Sequence, residues 1–383
     1  MNVLLIARHF PPLVSGGARR PYLLALALEA LGAEVRVVAP GLPPGVKGVV
    51  APLLHAPPLE QADAPPVPAP PPTLSARLRD LARSWLLWPD AEIRWVRRAV
   101  RAAGSLEGFR PDWILTTSPP ESIHCAGPAL RRRHQARWVA DLRDEWLARP
   151  FRAELSHPWR RMVEGVIARR LLVRADLIIG VDAVVAREAR RLAPGRPIEV
   201  LAQFAAPPPP PVDLGPGGVH VLYTGSVSLS DPACGIEPLC AAIAATVRRR
   251  SDLVFHFVGR LTPEERAALR ATGAGDAVRL HGPRPYDETR AMQAAADGFL
   301  VTAAPDATAI PGKVYEYRAV GAPIIAVGEG PWRAIGGYDP GDAADRLSSL
   351  AKRRPGERDG PVADTPEDAA RRLLAMMRAV VRG

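Results

Sequence analysis

The first forty residues alternate between strand-like and helix-like patterns, and this alternation constrains the fold more than any other feature of the sequence. Residues 3–7 are continuously apolar, residues 18–31 have helical spacing and end at Gly32, and residues 34–39 form a second apolar run. A strand, a helix and a second strand within so few residues predict a βαβ unit, and therefore a parallel sheet.

The chain is long enough for two domains of this kind. It has 383 residues, and single cores stop growing beyond about 250–300 residues. Five consecutive prolines, residues 207–211, predict a stiff linker. We predict a first Rossmann-like domain over residues 1–205, a second over residues 206–364, and a final helix over residues 365–383 that packs back on the first domain. The predicted fold class is α/β, with two doubly wound parallel sheets whose strands end at a cleft between the domains.

The alternation of strand-like and helix-like patterns continues after residue 40, except in two segments. Residues 41–73 are rich in proline and alanine and are expected to form a long irregular insertion. Residues 74–103 have near-helical spacing of Leu78, Leu81, Trp85, Leu86 and Trp88, next to several arginines. Such a helix suits either a membrane interface or packing of its aromatic residues on the sheet. Further strands are predicted at residues 113–117, 137–140, 177–181, 199–202, 219–223, 254–258, 278–280, 298–302 and 324–327, and further helices at residues 121–134, 159–175, 235–250, 263–272, 286–296 and 311–321.

The cysteines and the apolar runs indicate the compartment. Cys125, Cys234 and Cys240 are odd in number and have no Cys-x-x-Cys spacing, which argues against a disulfide framework and a zinc site. The first apolar run predicts a buried strand and not a signal peptide, and no apolar run reaches the 18 or more residues of a membrane span. We therefore expect a cytoplasmic protein.

The net charge is confined to the N-terminal half. Residues 1–205 contain 29 Lys and Arg and 19 Asp and Glu, a net charge of +10, whereas residues 206–383 contain 21 of each kind. This polarity suggests an anionic partner such as membrane lipid, a phosphorylated acceptor or nucleic acid, and an arginine-biased composition explains it equally well. The run from Arg131 to Arg133 is the one nucleic-acid signal, and a solvated helix face explains it more simply. We expect no nucleic-acid partner.

The segment from Pro311 to Gly321 carries the most functional information. Pro311 suits a first helical turn and Gly321 suits a left-handed C-terminal cap, so a short helix is predicted. A helix N-terminus attracts anions, and Lys313 adds a full positive charge there, with the Glu316 carboxylate one turn further along. This pattern is that of a diphosphate site, although a surface ion pair between Lys313 and Glu316 has the same spacing.

Other candidate residues follow predicted strands of the first domain. Gly16 and Gly17 directly precede a helix, where glycine lets a ligand approach the backbone N–H groups closely. Asp141, Arg143 and Asp144 follow another strand and form either a site for a polyhydroxylated ligand or a self-satisfied ion network. His124, one turn into a helix, is either catalytic or structural.

In the second domain, strands end in small residues that leave room for a flat ligand such as a nucleotide base. These residues are Gly225 with Ser226, Gly259 with Arg260, and Gly282. Arg260 is a candidate phosphate ligand or an exposed loop arginine. The sequence has no Gly-x-Gly-x-x-Gly fingerprint, which argues against a nicotinamide dinucleotide, and no Asp-x-Asp pair for a divalent ion. We therefore expect no metal and no cofactor. Lys313 is then expected to stabilise the negative charge of a leaving phosphate.

In their order and spacing, these motifs resemble those of family 4 glycosyltransferases of the GT-B fold, over nearly the whole chain. They are the loop ending in Gly16 and Gly17, the segment from Pro119 to His124, the Asp141-Leu142-Arg143-Asp144-Glu145-Trp146 loop, the Tyr223-Thr224-Gly225-Ser226 turn, the strand ending at Gly259, and the run from Ile310 to Tyr317.

This resemblance implies a role for each motif. Glu316 is expected to hold the nucleotide ribose, Lys313, Pro311 and Gly312 to face the diphosphate, and the glycine loop and His124 to border the sugar and acceptor. His124, Asp141 and Lys313 are the catalytic candidates.

The sequence departs from the family pattern at two positions. Thr308 occupies the place of the first acid of the usual pair, and Asp306 lies nearby but out of register. The turn after Gly225 lacks the usual basic residues. Lys313 is therefore expected to be the principal phosphate ligand.

We predict a metal-independent enzyme that transfers a sugar from a nucleotide-sugar to a carbohydrate or lipid-linked acceptor. The resemblance implies retention of anomeric configuration and a role in envelope or exopolysaccharide assembly, peripherally at the inner face of the cell membrane. An epimerase or phosphorylase of the same fold is one alternative. A non-catalytic protein that binds an anionic polymer or membrane is the other.

Overall fold

The chain folds into two compact units, each built on one parallel sheet. The computed structural model describes residues 1–13, 17–53, 86–148, 155, 157–229, 233–304, 307, 310–328, 343–354, 357 and 363–382. The first unit contains the described residues up to Phe204 together with the segment that begins at Thr365, and the second unit contains Ala205–Asp364.

In the first unit, the described residues form a seven-stranded sheet with the strand order β3-β2-β1-β4-β5-β6-β7, and all neighbouring strands are parallel. The strands are β1 (Asn2–Ala7), β2 (Glu34–Ala39), β3 (Gly48–Val50), β4 (Trp113–Thr117), β5 (Arg137–Leu142), β6 (Leu177–Gly180) and β7 (Ile198–Val200). The helices between them are α1 (Arg19–Ala30), α2 (Ile93–Ala103), α3 (Ala126–His134), α4 (Pro158–Leu172) and α5 (Ala183–Leu192), with a 3-10 turn at Glu121–Cys125.

In the second unit, the described residues form a five-stranded parallel sheet with the order β10-β9-β8-β11-β12. Its strands are β8 (Val219–Thr224), β9 (Leu253–Val258), β10 (Val278–Gly282), β11 (Gly298–Val301) and β12 (Ile324–Ala326). Its helices are α6 (Glu237–Val247), α7 (Pro263–Arg270), α8 (Tyr286–Ala295), α9 (Lys313–Val320) and α10 (Ala343–Ser348), and the last helix of the chain is α11 (Pro366–Arg382).

The first sheet is buried on both faces, which explains the continuous apolar character of its strands. Successive side chains of β1 enter two different cores: Leu4 and Ile6 pack with Trp95 of α2 on one face, whereas Val3 and Leu5 pack with α1 on the other. The sheet is thus the middle of three layers.

The final helix α11 belongs to the first unit. Leu373 and Met377 are fully buried in the same apolar core as Leu24 and Leu28 of α1. Thr365 caps the helix, because its hydroxyl accepts a hydrogen bond from the backbone N–H of Asp368 at 3.1 Å. One outer layer of the first unit is therefore completed by residues far away in sequence.

Most predicted elements are present, and the differences have local causes. The predicted helix 121–134 begins as a 3-10 turn and becomes α-helical only at Ala126. Gly48–Val50 forms strand β3 inside the predicted irregular insertion, because its backbone pairs with β2 although its side chains show no strand pattern. Within the predicted helix 74–103, the described residues begin at Leu86. Leu86 is helical, residues 87–92 are not, and the next helix begins at Ile93.

The described part of that segment is mainly packed inside the first unit. Trp95 is buried and its indole N–H donates to the carbonyl of Ala51 at 2.7 Å. Trp88 is half-buried, whereas Leu86 is exposed. Leu78, Leu81 and Trp85 lie outside the described residues. No helix in the described ranges is long and apolar enough to cross a membrane.

Three histidines form a hydrogen-bonded row across neighbouring strands of the second sheet. His256 on β9 lies between His220 on β8 and His281 on β10, at nitrogen–nitrogen distances of 3.0 and 2.9 Å. Burial, together with the neighbouring His281 and His220, lowers the pKa of His256 to about 3. The imidazole of His256 is therefore neutral at physiological pH.

We predict that Leu373→Ala destabilises the first unit by about 2–5 kcal/mol, because it leaves a cavity beneath α11. Val381→Ala, at a position on the same helix that is 49% exposed, should change stability by less than about 0.5 kcal/mol. Denaturant unfolding of the full chain measures both values. Equal effects of the two substitutions would show that α11 is not part of the core.

We also predict that acid destabilises the second unit through His256. The unfolded chain binds a proton near pH 6.5 whereas the folded chain does so only near pH 3, so stability falls as the pH drops through this window. The expected slope is about 1.4 kcal/mol per pH unit for this residue. Unfolding of His256→Gln measured at several pH values should show a shallower slope than the parent protein, and an unchanged slope would contradict the assignment.

Candidate functional site

Both sheets have a position where the strand order reverses, and the candidate residues cluster there. In the first sheet the reversal lies between β1 and β4, and in the second between β8 and β11. In open α/β sheets, ligands bind outside the carboxyl ends of the strands at this position. The loops that follow these strands contain most of the candidates.

Three glycines end neighbouring strands of the second sheet. The Gly225 N–H donates to the carbonyl of Val258 at 2.8 Å, and the Gly259 N–H donates to the carbonyl of Gly282 at 2.8 Å. A Cβ on Gly259 would lie 2.2 Å from the carbonyl oxygen of Gly225, and its φ is +143°. Only glycine fits there, so the strand ends approach more closely than side chains would permit.

Helix α9 begins beside Gly225 with an uncapped first turn. Gly312 is the N-cap and is exposed, and no side chain among the described residues caps the helix. The helix ends at Gly321, which has a left-handed conformation with φ of +79°, as the sequence predicts. Pro311 precedes the N-cap and is not the first helical residue, since the N–H groups of Val314 and Tyr315 bond to the carbonyls of Pro311 and Gly312.

The Lys313 ammonium lies above the ring of Tyr223, 3.8 Å from the ring centroid. A Cβ placed on Gly225 would be 3.6 Å from Lys313 Nζ, so the amine lies directly at the strand end. Burial lowers the pKa of Lys313 to about 7, although Cys234 and Glu316 oppose this shift. No hydrogen-bond or ion-pair partner for this amine occurs among the described residues. A surface ion pair with Glu316 is therefore not what the structure shows.

The Glu316 carboxylate is held by helix α8. Tyr286 donates its hydroxyl to Oε1 at 3.0 Å, and Gln293 donates its amide N–H to Oε2 at 3.0 Å. Gln293 also donates to Thr224 at the end of β8, at 3.2 Å. Each carboxylate oxygen thus has one donor and retains capacity to accept from a ligand.

Helix α9 is also fixed to the sheet by Tyr317. Its hydroxyl accepts the backbone N–H of Thr224 at 2.8 Å and lies 3.0 Å from the hydroxyl of the same residue. The Tyr317 ring stacks on Phe299 with a centroid distance of 4.0 Å. The positions of Lys313 and Glu316 therefore follow from contacts with β8 and β11.

The remaining donor-side candidates lie around this helix. Ser226 is half-buried and its carbonyl accepts the Tyr223 hydroxyl at 3.0 Å, whereas Arg260 is exposed. Asp306 and Thr308 lie outside the described residues.

In the first unit, Arg143 connects two loops at the strand-order reversal. Its guanidinium donates to the carbonyl of Gly17 after β1 and to the carbonyl of Ser118 after β4. Asp144 is half-buried beside it in sequence, and Gly16 lies outside the described residues. Gly17 and Arg143 are therefore brought together.

Asp141 lies beneath this loop and faces the interior. It is 1% exposed and forms an ion pair with the buried Arg20 of α1 at 3.3 Å. The Thr117 hydroxyl donates to the same carboxylate at 2.8 Å. Arg20 also donates to the carbonyls of Leu201 and Ala202, so this pair connects α1, β5 and the segment after β7.

His124 is also fully buried. Its Nδ1 lies 2.8 Å from the Thr116 hydroxyl, and its ring lies 5.7 Å from the ring of Trp146. Burial lowers the pKa of His124 to about 3, although the charge of Asp141 opposes this shift. Its Nε2 is buried and has no hydrogen-bond partner among the described residues. The imidazole is neutral and does not reach the surface.

The charged loop ends at Trp146, which is held by two helices. The indole N–H donates to Glu164 of α4 at 3.0 Å, and the backbone N–H donates to Glu188 of α5 at 2.5 Å. Burial raises the pKa of Glu188, although the bonds from Leu147 and Trp146 oppose the shift.

Sequence reasoning missed Arg20, Tyr286 and Gln293. Arg20 lies in a helix of mostly apolar residues, and nothing in the sequence around it indicates that its guanidinium is buried. Tyr286 and Gln293 lie in α8, whose sequence has ordinary polar positions, and only the packing of α8 against α9 assigns them to Glu316.

Comparison with known proteins agrees with the two-unit architecture. The sequence profile of the glycosyl transferase 4-like domain matches residues 15–203, and that of the glycosyl transferases group 1 matches residues 218–345. No curated protein sequence matches the chain.

Solved structures show the same fold at low sequence identity. The sucrose-phosphate synthase from Thermosynechococcus elongatus is 17% identical with a TM-score of 0.60, and the match covers 100% of this chain and 96% of the other. WaaG, a glycosyltransferase involved in lipopolysaccharide biosynthesis, is 13% identical with a TM-score of 0.53, over 99% and 98%. The UDP-GlcNAc 2-epimerase from Methanocaldococcus jannaschii is 9% identical with a TM-score of 0.53, over 99% of both chains.

The structural neighbours establish the fold, and the two sequence profiles distinguish transferase from epimerase. With a glycosyl transferase 4-like domain followed by a group 1 domain on two parallel-sheet α/β units, the chain belongs to the glycosyltransferases of the GT-B fold.

Proposed function

We propose that this glycosyltransferase uses a nucleotide-sugar, which its second unit binds through α9, and transfers the sugar with retention to an acceptor bound by the first unit. The observation that carries the proposal is the Lys313 amine, which lies beside Gly225 at the uncapped start of α9 with no partner among the described residues. A half-buried cation of this kind suits a ligand that brings negative charge.

The chemistry of donor cleavage matches this position. Departure of a nucleoside diphosphate requires stabilisation of negative charge that grows on its oxygens, and fixed cations and helix N–H groups supply this. Lys313 and the N–H groups near Gly312 would take this role, with Arg260 as an exposed second cation. We propose that the enzyme needs no metal ion for this step.

Glu316 is proposed to bind the ribose. Tyr286 and Gln293 fix both of its oxygens and leave each able to accept a hydroxyl. The close approach of the strand ends at Gly225, Gly259 and Gly282 supports a flat base beside it.

The acceptor side is proposed to include Gly17, Arg143 and Asp144. Arg143 is already bound to two loop carbonyls, so its guanidinium is held in place before an acceptor arrives. His124 and Asp141 are buried beneath this loop, and we propose that they position it and do not touch the substrate. A carbohydrate or lipid-linked acceptor of envelope or polysaccharide assembly remains the proposal that the family resemblance supports.

Lys313→Ala should weaken binding of nucleoside diphosphates at least about tenfold, because a charge-assisted contact is worth about 1.5–3 kcal/mol. Calorimetric titration with UDP, GDP, ADP and dTDP measures this at pH 6.5. The exposed Lys352→Ala serves as the matched control and should bind like the parent protein. Equal affinity of Lys313→Ala and the parent would contradict the assigned role.

The same titration should depend on pH. Lys313 is charged below its pKa of about 7 and loses its proton above it, so affinity should decline as the pH rises from about 6.5 towards 9. Lys313→Arg stays charged throughout, and its affinity should not decline in this range. A decline of the same size in Lys313→Arg would assign the pH dependence to another group.

Glu316→Ala should remove discrimination between the ribose form and the 2′,3′-dideoxyribose form of the nucleotide that binds. In the parent protein we expect the ribose form to bind about 10- to 100-fold more tightly, since its hydroxyls donate to a carboxylate. Tyr286→Phe should reduce this ratio only partly. Glu288→Ala, an exposed carboxylate of α8, is the control, and an unchanged ratio in Glu316→Ala would refute the ribose assignment.

A further inference from the structure

Helix α4 exposes apolar residues and buries charged ones, the reverse of an ordinary surface helix. Trp159, Met162 and Val166 are 46%, 67% and 46% exposed. At about 100° per residue they share one side of the helix. The opposite side buries the ion pair between Arg160 and Glu164, in which both side chains are fully buried.

Arginines surround this apolar strip on α4 and its neighbour α5. Both helices bury their inner faces in the same core, so their outer faces point away from the same side of the sheet. Exposed arginines lie on these outer faces, and none of them forms an ion pair with a residue that the structure describes: Arg169, Arg170, Arg187, Arg190 and Arg191.

The acidic residues of the two helices do not offset this charge at the surface. Glu164 accepts from Arg160 and Trp146, and Glu188 accepts from the backbone N–H groups of Trp146 and Leu147. Asp182 caps α5 by accepting from the N–H groups of Val184 and Val185. All three carboxylates accept from internal donors, and the exposed side chains named above are cationic or apolar.

We propose that the outer face of α4 and α5 docks on an anionic lipid bilayer. Trp159, Met162 and Val166 would enter the interfacial region, and the five arginines would contact lipid phosphates. A nucleic acid would use the arginines and could stack a base on Trp159, but it would gain nothing from Met162 and Val166. The combination of both features therefore favours a membrane.

The helices that form this surface also contact the candidate acceptor loop. The inner faces of the same two helices hold Trp146 through Glu164 and Glu188, and Trp146 ends the loop that contains Arg143 and Asp144. A lipid-linked acceptor would then be presented next to the residues proposed to bind it. The docking surface itself does not depend on the proposed function, because it predicts membrane binding without any nucleotide.

Co-sedimentation of the full chain with vesicles at physiological salt tests the proposal. The parent protein should sediment with phosphatidylcholine–phosphatidylglycerol vesicles and not with pure phosphatidylcholine. Arg169→Gln/Arg170→Gln should weaken binding roughly 30-fold, since each interfacial arginine contributes about fivefold. Trp159→Ser/Met162→Ser should weaken it roughly tenfold or more, since both lose interfacial contact.

The matched control is Arg378→Gln/Val381→Ser, which changes an exposed arginine and an exposed valine of α11. It should bind vesicles like the parent, and all variants should retain the parent's melting temperature and nucleoside diphosphate affinity. The proposal is overturned if the parent does not bind anionic vesicles. It is also overturned if Trp159→Ser/Met162→Ser binds like the parent while the arginine variant does not, because that result describes a simple polyanion site.

Discussion

The attachment of α9 to the end of β8 determines the candidate donor site. Thr224 is the last residue of β8, and its backbone and hydroxyl both bond to Tyr317, while Gln293 connects the same hydroxyl to Glu316. A short helix contributes little stability in isolation, so its orientation must come from such tertiary contacts. These bonds place the Lys313 amine at the strand end and the Glu316 carboxylate one turn away. Gly225 leaves the space that the amine occupies.

Much of the fold could be predicted from the sequence because its signals are local. The strands of both sheets are apolar runs, and the end of α9 is given by Gly321 in a left-handed conformation. The family motifs lie at strand ends, as the alternating pattern of the sequence predicts. Strand β3 was missed because its three residues are held by backbone pairing with β2, which leaves no side-chain pattern.

The chemistry of individual residues was less predictable, because it depends on partners from distant segments. Lys313 and Glu316 have the spacing of an ion pair, but Tyr286 and Gln293 of α8 bind the carboxylate instead. His124 follows a strand end like a catalytic residue, yet Trp146 and Thr116 enclose its ring. Burial is a property of the assembled layers, so no spacing rule along the chain could reveal it.

The packing of α11 on α1 makes the first unit discontinuous in sequence. Its two pieces are separated by the whole second unit, residues 205–364, so in folding terms the second unit is an insertion. During synthesis, the second unit is complete before Leu373 and Met377 can cover the core that contains Leu24 and Leu28. The apolar layer that α11 covers in the first unit therefore stays open until the whole second unit has been synthesised. N-terminal domains generally fold first on the ribosome, and here the order of completion is reversed.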